Sequence, residues 1–161
     1  MPDGLIVIAT DGSTAATKAV EVGLELAAAQ ATDVVFVHVS PAAGPLFAAD
    51  PEAGPSQEKI EEADSVLRAA AEAARARGVQ AKLEILDEHG TGDIAATLAG
   101  IADGLDARMI VVGTRGRGAI GSAVLGSVSR SLLSISNLPV LVVHAGHDRA
   151  QSAKVRDPQA P

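Results

Sequence analysis

Glycines and small polar residues are concentrated in the segment 113–128, which has the sequence GTRGRGAIGSAVLGSV. An apolar run over residues 108–112 precedes it and predicts a buried strand, while the apolar spacing over residues 127–136 predicts a helix. Glycines let a ligand approach the bare backbone, and the first turn of a helix offers unpaired N–H groups at the positive end of its dipole. The segment therefore predicts an anion site, and phosphate is the usual anion at such sites.

Two known phosphate-binding motifs can be compared with this segment. Residues 116–121 fit G-x-G-x-x-G, the fingerprint of dinucleotide-binding folds, which opens the first βα unit and precedes an acidic residue by about 20 positions. Here the match is late in the chain, and no acidic residue occurs between Asp106 and Asp148. A P-loop needs Gly-Lys-[Ser/Thr], whereas Gly126-Ser127 follows Leu125 without a lysine. The dinucleotide fingerprint is disfavoured and a P-loop is excluded.

The spacing of Gly113, Gly116 and Gly126-Ser127 follows the pattern G-2x-G-9x-G-[ST]. With this spacing, the segment resembles the ATP-binding motif of the universal stress protein family, which it matches at every defined position. The same residues have a simpler explanation, in which a flexible glycine loop leads into a helix whose ordinary N-cap is Ser127.

The composition limits the kinds of core, site and partner. Aromatic residues make up 1% of the chain, so the core must be built from Val, Ile, Leu and Ala, and a bound base would rely on backbone and aliphatic contacts. The absence of cysteine excludes disulfides and thiolate sites, and a net charge of -7 argues against nucleic-acid and anionic membrane partners. No apolar run reaches the ~18 residues of a membrane span. No signal peptide is apparent, so a cytoplasmic protein is expected.

Strand-like and helix-like segments alternate along the chain. The predicted strands are 5–9, 34–39, 79–86, 108–112 and 140–144, and the predicted helices are 14–31, 56–77, 93–103 and 127–136. Residues 40–55, with four prolines and two glycines, are predicted to be a long loop. The alternation predicts a single-domain α/β fold, a three-layer sandwich with a parallel sheet and helices on both faces. Residues 147–161 are polar and predict a disordered tail after a domain of residues 1–146.

The resemblance to universal stress proteins covers about residues 4–144. It implies a Rossmann-like fold of the adenine nucleotide alpha hydrolase type, with a five-stranded sheet in the order 3-2-1-4-5. It also implies that the protein binds ATP, with Mg²⁺ accompanying the nucleotide. The site residues that it implies are Ala9, Thr10, Asp11, Val39, Gly113, Thr114, Arg115, Gly116, Arg117, Gly118, Gly126, Ser127 and Val128.

Each part of the nucleotide has an implied contact in this resemblance. Asp11 would hold the ribose hydroxyls, and the backbone of Val39 would meet the adenine edge. Residues 113–118 would line the ribose and phosphates, while residues 126–128 would present amides and the Ser127 hydroxyl to the outer phosphates. Two alternatives stay open, since Asp11 before Gly12 is a favoured turn pair that could cap a helix, and the two arginines could be solvated loop charges.

No catalytic or metal-ligating set can be assigned from the sequence. The four histidines show no spacing typical of a metal site, and His38 and His144, which end strands, are predicted to be structural. No serine lies in a G-x-S-x-G elbow. Efficient ATP hydrolysis is not expected, because the glycine segment has no Glu, Gln or Lys in an obvious position to orient water.

Three functions follow from these observations. The first is a nucleotide-dependent regulatory protein of the stress response, which binds ATP and acts as a homodimer through the strand Val140–Val143 if that strand lies at the sheet edge. The second is a nucleotide-hydrolysing or adenylate-forming enzyme of the related α/β group, which would need an acceptor site built from residues 40–55 and the tail. The third is an interaction module with an empty crevice, which the intact glycines disfavour.

Overall fold

The computed structural model describes residues 4–41, 43–49, 52–114 and 125–146. The elements in these ranges are β1 (Ile6–Ala9), α1 (Thr14–Gln30), β2 (Val34–Ser40), α2 (Ala43–Ala49), α3 (Gln57–Ala63), α4 (Ser65–Ala76), β3 (Ala81–Asp87), α5 (Ile94–Gly104), β4 (Met109–Gly113), α6 (Ser127–Ile135) and β5 (Val140–Val143). The strands form one parallel sheet in the order β3-β2-β1-β4-β5. The α/β fold and its strand order are therefore confirmed, whereas the predicted tail 147–161 lies outside the described residues.

Apolar side chains cover both faces of the sheet. On one face, Ile8, Leu24 and Leu67 belong to a core layer that includes α1 and α4. On the other, Val7, Leu98 and Leu132 belong to a layer that includes α5 and α6. A strand buried on both faces needs apolar residues at successive positions, which explains the continuous apolar runs in the sequence. In the described ranges, no helix combines the length and apolarity that crossing a bilayer requires.

Helix α1 lies unusually close to the sheet at Gly23. A Cβ atom at this position would lie 2.5 Å from Cδ1 of Ile8. Glycine in a helix interior costs about 1 kcal/mol relative to alanine, and here it is the residue that lets α1 approach β1. The close approach of α1 to β1 explains why a glycine lies inside this helix.

The prediction of one helix over residues 56–77 is wrong, because the helix is broken at Asp64. Asp64 has φ -116° and ψ 107°, and it ends α3 and caps α4. Its Oδ1 accepts hydrogen bonds from the amides of Val66 (3.1 Å) and Leu67 (2.9 Å). Apolar residues recur at helical spacing on both sides of Asp64, so the sequence pattern alone does not indicate the break. Ala63 is exposed, and the buried position beside it is taken by Asp64.

The buried Asp64 carboxylate is hydrogen-bonded to the ring of His38 in β2. The Nδ1 atom of His38 donates to Asp64, at 3.1 Å from Oδ1 and 3.0 Å from Oδ2, and both residues are 6% exposed. Burial alone would raise the pKa of the Asp64 carboxyl, but the Leu67 amide, the attraction of His38 and hydrogen bonds from His38 and Ser40 outweigh it and lower this pKa below 3.8. The ionised carboxylate thus joins the end of β2 to the α3–α4 junction.

The prediction that residues 40–55 form a loop throughout is also wrong, since they contain α2. Ala43 is fully buried, and Leu46 and Phe47 pack against the core layer of α1 and α4. Pro45 is tolerated because it lies in the first turn of the helix, where the backbone N–H has no helical partner. A helix of seven residues is too short to display a clear apolar period.

Candidate functional site

A cleft of about 630 Å³ opens at the carboxyl edge of the sheet. The chain order of the strands reverses at β1, which pairs with β2 on one side and with β4 on the other. In open parallel sheets, this switch point is where ligands bind. The predicted site residues that line the cleft are Ala9, Thr10, Asp11, Val39, Gly113, Gly126, Ser127 and Val128.

The remaining predicted residues do not line the cleft or are not described. Thr114 is 5% exposed, and its backbone connects the end of β4 to β5 and α6. Its amide donates to the Val143 carbonyl at 2.9 Å, and its carbonyl accepts from the Gly126 amide at 2.7 Å. Arg115, Gly116, Arg117 and Gly118 lie outside the described residues.

The turn after β1 brings Asp11 to the cleft. Thr10 continues the ladder, with its amide donating to the Val37 carbonyl at 2.9 Å. Gly12 then turns the chain with φ +75°, a conformation that favours glycine. Ser13 is the N-cap of α1, and Asp11 Oδ1 accepts from the Ser13 amide at 2.9 Å. Asp11 therefore stabilises the turn without being the helix cap, and its carboxylate lines the cleft.

The backbone of Val39 faces the space beyond the end of β1. In β2, every second residue directs its backbone N–H and C=O toward β1. The Asp33 carbonyl accepts from the Ile6 amide, and the Val37 carbonyl accepts from the Thr10 amide. Val39, two residues after Val37, has the same orientation, but the pairing of β1 with β2 ends at Ala9. The N–H and C=O groups of Val39 consequently present a neighbouring donor and acceptor to the cleft.

The opposite end of the cleft is formed by β4 and the first turn of α6. A Cβ atom at Gly113 would lie 2.7 Å from Ala15 C and 2.8 Å from Ala16 N, so only glycine lets β4 pass this close to α1. Gly126 is the N-cap of α6, and in the described part of the chain no side chain caps this helix. The alternative in which Ser127 is the N-cap is therefore wrong. The first-turn amides of Ser127 and Val128 border the cleft without a capping side chain.

The two ends of the cleft differ in charge. Its carboxylates, Asp11 and Glu88, follow β1 and β3, whereas the described lining of the β4–α6 end consists of glycine, valine and serine. The first-turn amides of α6 and its helix dipole favour an anion at that end. Within the described ranges, no group of three or more His, Asp or Glu side chains could hold a metal ion.

Several lining residues were missed by sequence reasoning. Pro41 and Glu88 follow β2 and β3, and the rule that carboxyl ends of parallel strands share one edge would have identified them. Ile94 and Leu98 of α5 form an aliphatic wall, and Ser129 lies in the first turn of α6. These three carry no signal in the sequence beyond their place in a helix.

Known proteins resemble this chain over nearly its full length. The model of the universal stress protein family matches residues 5–144. A universal stress protein from Mycolicibacterium smegmatis is 32% identical over 158 residues, which cover 93% of this chain and 51% of the relative. The chain thus spans about half the length of that relative, and the same holds for the universal stress protein Rv2005c of Mycobacterium tuberculosis, at 50%.

Solved structures show the same similarity. The universal stress protein from Archaeoglobus fulgidus in complex with dAMP has a TM-score of 0.63 and 26% identity, covering 89% of this chain and 99% of that chain. A universal stress protein in complex with cAMP has a TM-score of 0.63 and 25% identity, covering 91% and 100%. Because the family match runs from before β1 to the end of β5, the chain belongs to the universal stress protein family.

Proposed function

We propose that this chain is a regulatory protein of the stress response whose cleft binds ATP. The observation that carries the proposal is the convergence of three features on one cleft: the Asp11 turn, the Val39 backbone and the first turn of α6, which no described side chain caps. Each suits a different part of a nucleotide. The dAMP and cAMP complexes of related universal stress proteins support an adenine nucleotide as the ligand class.

The strand order gives the nucleotide a direction along the sheet edge. Neighbouring strands lie about 4.8 Å apart, so a ligand extending from β2 to β4 passes over β1. The base would meet Val39, the ribose Asp11, and the phosphates the amides of α6. Adenine carries an acceptor and a donor side by side at N1 and N6, which complement a backbone N–H and C=O. Guanine has a donor and an acceptor in the reverse arrangement, so ATP is favoured over GTP.

The proposed role is regulation through nucleotide occupancy, without efficient turnover. Mg²⁺ would arrive with the triphosphate, whose oxygens and water supply most of its ligands. Hydrolysis requires a group that orients water near the γ-phosphate, and the described side chains at the β4–α6 end are too small or too apolar for that task. Steady release of AMP and pyrophosphate would instead favour the adenylate-forming alternative.

Calorimetric titration of the wild-type chain with Mg-ATP, Mg-GTP and adenosine tests the proposal directly. We expect saturable binding of ATP, with GTP at least about tenfold weaker because its base edge mismatches Val39. Mass analysis of small molecules released on denaturation should identify an adenine nucleotide. If no adenine nucleotide binds up to millimolar concentration, the proposed function is wrong.

Replacing Asp11 with Ala should weaken ATP binding by about tenfold to a hundredfold, because hydrogen bonds to a charged group contribute about 1.5–3 kcal/mol. The matched ligand is 2′,3′-dideoxy-ATP, which lacks the ribose hydroxyls and should bind both proteins equally. Asp11→Asn keeps an acceptor for the Ser13 amide and controls for the turn. An equal loss for both ligands would show that Asp11 acts on the fold and not on the ribose.

We also propose a homodimer through β5. Both sheet edges belong to described strands, β3 and β5. The β3 edge is partly occupied, since the Gln57 side chain donates to the Leu83 carbonyl at 2.9 Å and accepts from the Leu83 amide at 2.7 Å. The β5 edge has no strand partner in the described ranges, its residues are half-buried, and the nearby α6 exposes Leu133 (54%) and Ile135 (46%). An apolar edge of this kind favours pairing with another copy.

Val142→Lys should convert a dimer into a monomer, because a charged side chain on the edge strand opposes strand pairing. Light scattering should give twice the chain mass for the wild type and the chain mass for the variant. Ala81→Lys, an exposed position on the opposite edge, is the control and should remain dimeric. An unchanged mass for Val142→Lys, with the fold intact by circular dichroism, would refute the β5 interface.

A further inference from the structure

Two hydrogen bonds hold the end of β4 to the start of α6. The Ser129 hydroxyl donates to the Gly113 carbonyl at 2.7 Å, and the Gly126 amide donates to the Thr114 carbonyl at 2.7 Å. The first bond depends on a side chain and the second does not. Ser129 is 4% exposed and lines the cleft, so this hydroxyl is a buried polar group with a defined partner.

Gly113, which accepts the Ser129 hydrogen bond, lies in a tightly packed part of the sheet. The close approach of α1 on its Cα side leaves no room for Gly113 to shift toward Ala15 and Ala16. Its amide and carbonyl belong to β4, the strand that pairs with β1 and β5. The Ser129 hydroxyl therefore sets how far the first turn of α6 lies from a rigid part of the sheet.

We propose that Ser129 is a positioning residue that holds the α6 amides at the distance from β4 at which a triphosphate can bind. The inference rests on the proposed function and adds to it a residue that acts on the phosphates alone. Base and ribose would contact Val39 of β2 and Asp11 in the turn after β1, whereas the Ser129 hydroxyl bonds to the end of β4. Removing the hydroxyl would leave the start of α6 attached through the bond between Gly126 and Thr114 and would deprive the half-buried Gly113 carbonyl of its donor from α6.

The test compares ATP with adenosine in wild type and Ser129→Ala by calorimetry. We expect ATP to bind about tenfold more weakly to the variant, which corresponds to the loss of one buried hydrogen bond, and adenosine to bind unchanged. Ser129→Thr retains a hydroxyl and should restore ATP affinity. Ser134→Ala is the matched control, because the Ser134 hydroxyl bonds only its own helix, at 3.3 Å from the Arg130 carbonyl, on the exposed side.

The ratio of ATP to adenosine affinity distinguishes positioning from stability. A purely structural role would lower the melting temperature and leave this ratio unchanged, and that result in Ser129→Ala would overturn the inference while the proposed function stands. If Ser129→Ala does not fold, Ser129→Thr tests the inference in its place. The inference predicts that the ratio of ATP to adenosine affinity in Ser129→Thr equals that of wild type. A lower ratio would contradict the role of the hydroxyl. Absence of ATP binding in wild type would overturn the proposed function itself.

Discussion

Gly126→Val should lower ATP affinity by at least about a hundredfold and leave the chain folded. Gly126 borders the cleft at the N-cap of α6, where the phosphates are proposed to bind, and a branched side chain there would separate the phosphates from the amides. Its backbone has φ -63° and ψ 161°, a conformation open to any residue. Valine is a poor N-cap, so a stability loss of about 1 kcal/mol is expected beside the large loss of affinity. Calorimetry with Mg-ATP measures the effect.

The control for Gly126→Val is Gly100→Val, the same change in α5. A Cβ atom at Gly100 meets no atom within 4 Å, so this variant should fold and bind ATP as wild type does. Adenosine is the second control, since it lacks phosphates and should still bind to Gly126→Val. If the valine at position 126 leaves ATP affinity intact, the β4–α6 end of the cleft is not the phosphate site.

Asp64→Ala should lower the free energy of unfolding by about 2–4 kcal/mol, because a buried donor left without its acceptor costs about 1–3 kcal/mol and a lost helix N-cap about 1 kcal/mol. The substitution leaves the buried His38 ring without its acceptor and removes the N-cap of α4. Urea unfolding followed by circular dichroism measures this loss. Asp93→Ala is the matched control, because Asp93 caps α5 through the Ala96 amide at an exposed position and should cost only about 1 kcal/mol.

The Asp64 contribution should also depend on pH. Its pKa in the folded chain is lowered below the ordinary value of 3.8, so the stabilisation is complete above that value and is lost as the pH falls through the folded-state pKa. The difference in unfolding free energy between wild type and Asp64→Ala should therefore narrow below about pH 4. A difference that is equal at pH 7 and pH 3, or that matches the Asp93→Ala control at neutral pH, would contradict this role of the Asp64 carboxylate.

The centre of the sheet could be predicted from the sequence because β1, β2 and β4 are largely buried on both faces. Continuous apolar runs identified these strands. The strand order could not be derived from these runs, since nothing local to a strand specifies its neighbour. It came from the family resemblance carried by the spacing of Gly113, Gly116 and Gly126-Ser127.

The errors occurred where a distant partner decides the local structure. The break at Asp64 exists because His38, 26 residues earlier, supplies a donor for a carboxylate that would otherwise face the solvent. Helix α2 forms because its apolar residues, such as Ala43, pack against the core layer of α1 and α4. In the same way, Val39 exposes its backbone only because β1 ends before it. Such relations between strands and helices are absent from any single window of sequence.

The Gln57 side chain has a consequence for how far copies of this chain can assemble. A sheet with two open edges can add copies without limit, as fibres do. Here an amide side chain takes the place of a neighbouring strand at Leu83 and occupies part of one edge from within the same molecule. In the proposed homodimer, the β5 edges of two copies pair, and the edges that remain outward are the two β3 strands, each obstructed at Leu83. The expected assembly is therefore a finite pair related by a twofold axis, in which Gln57 hinders further extension of the sheet.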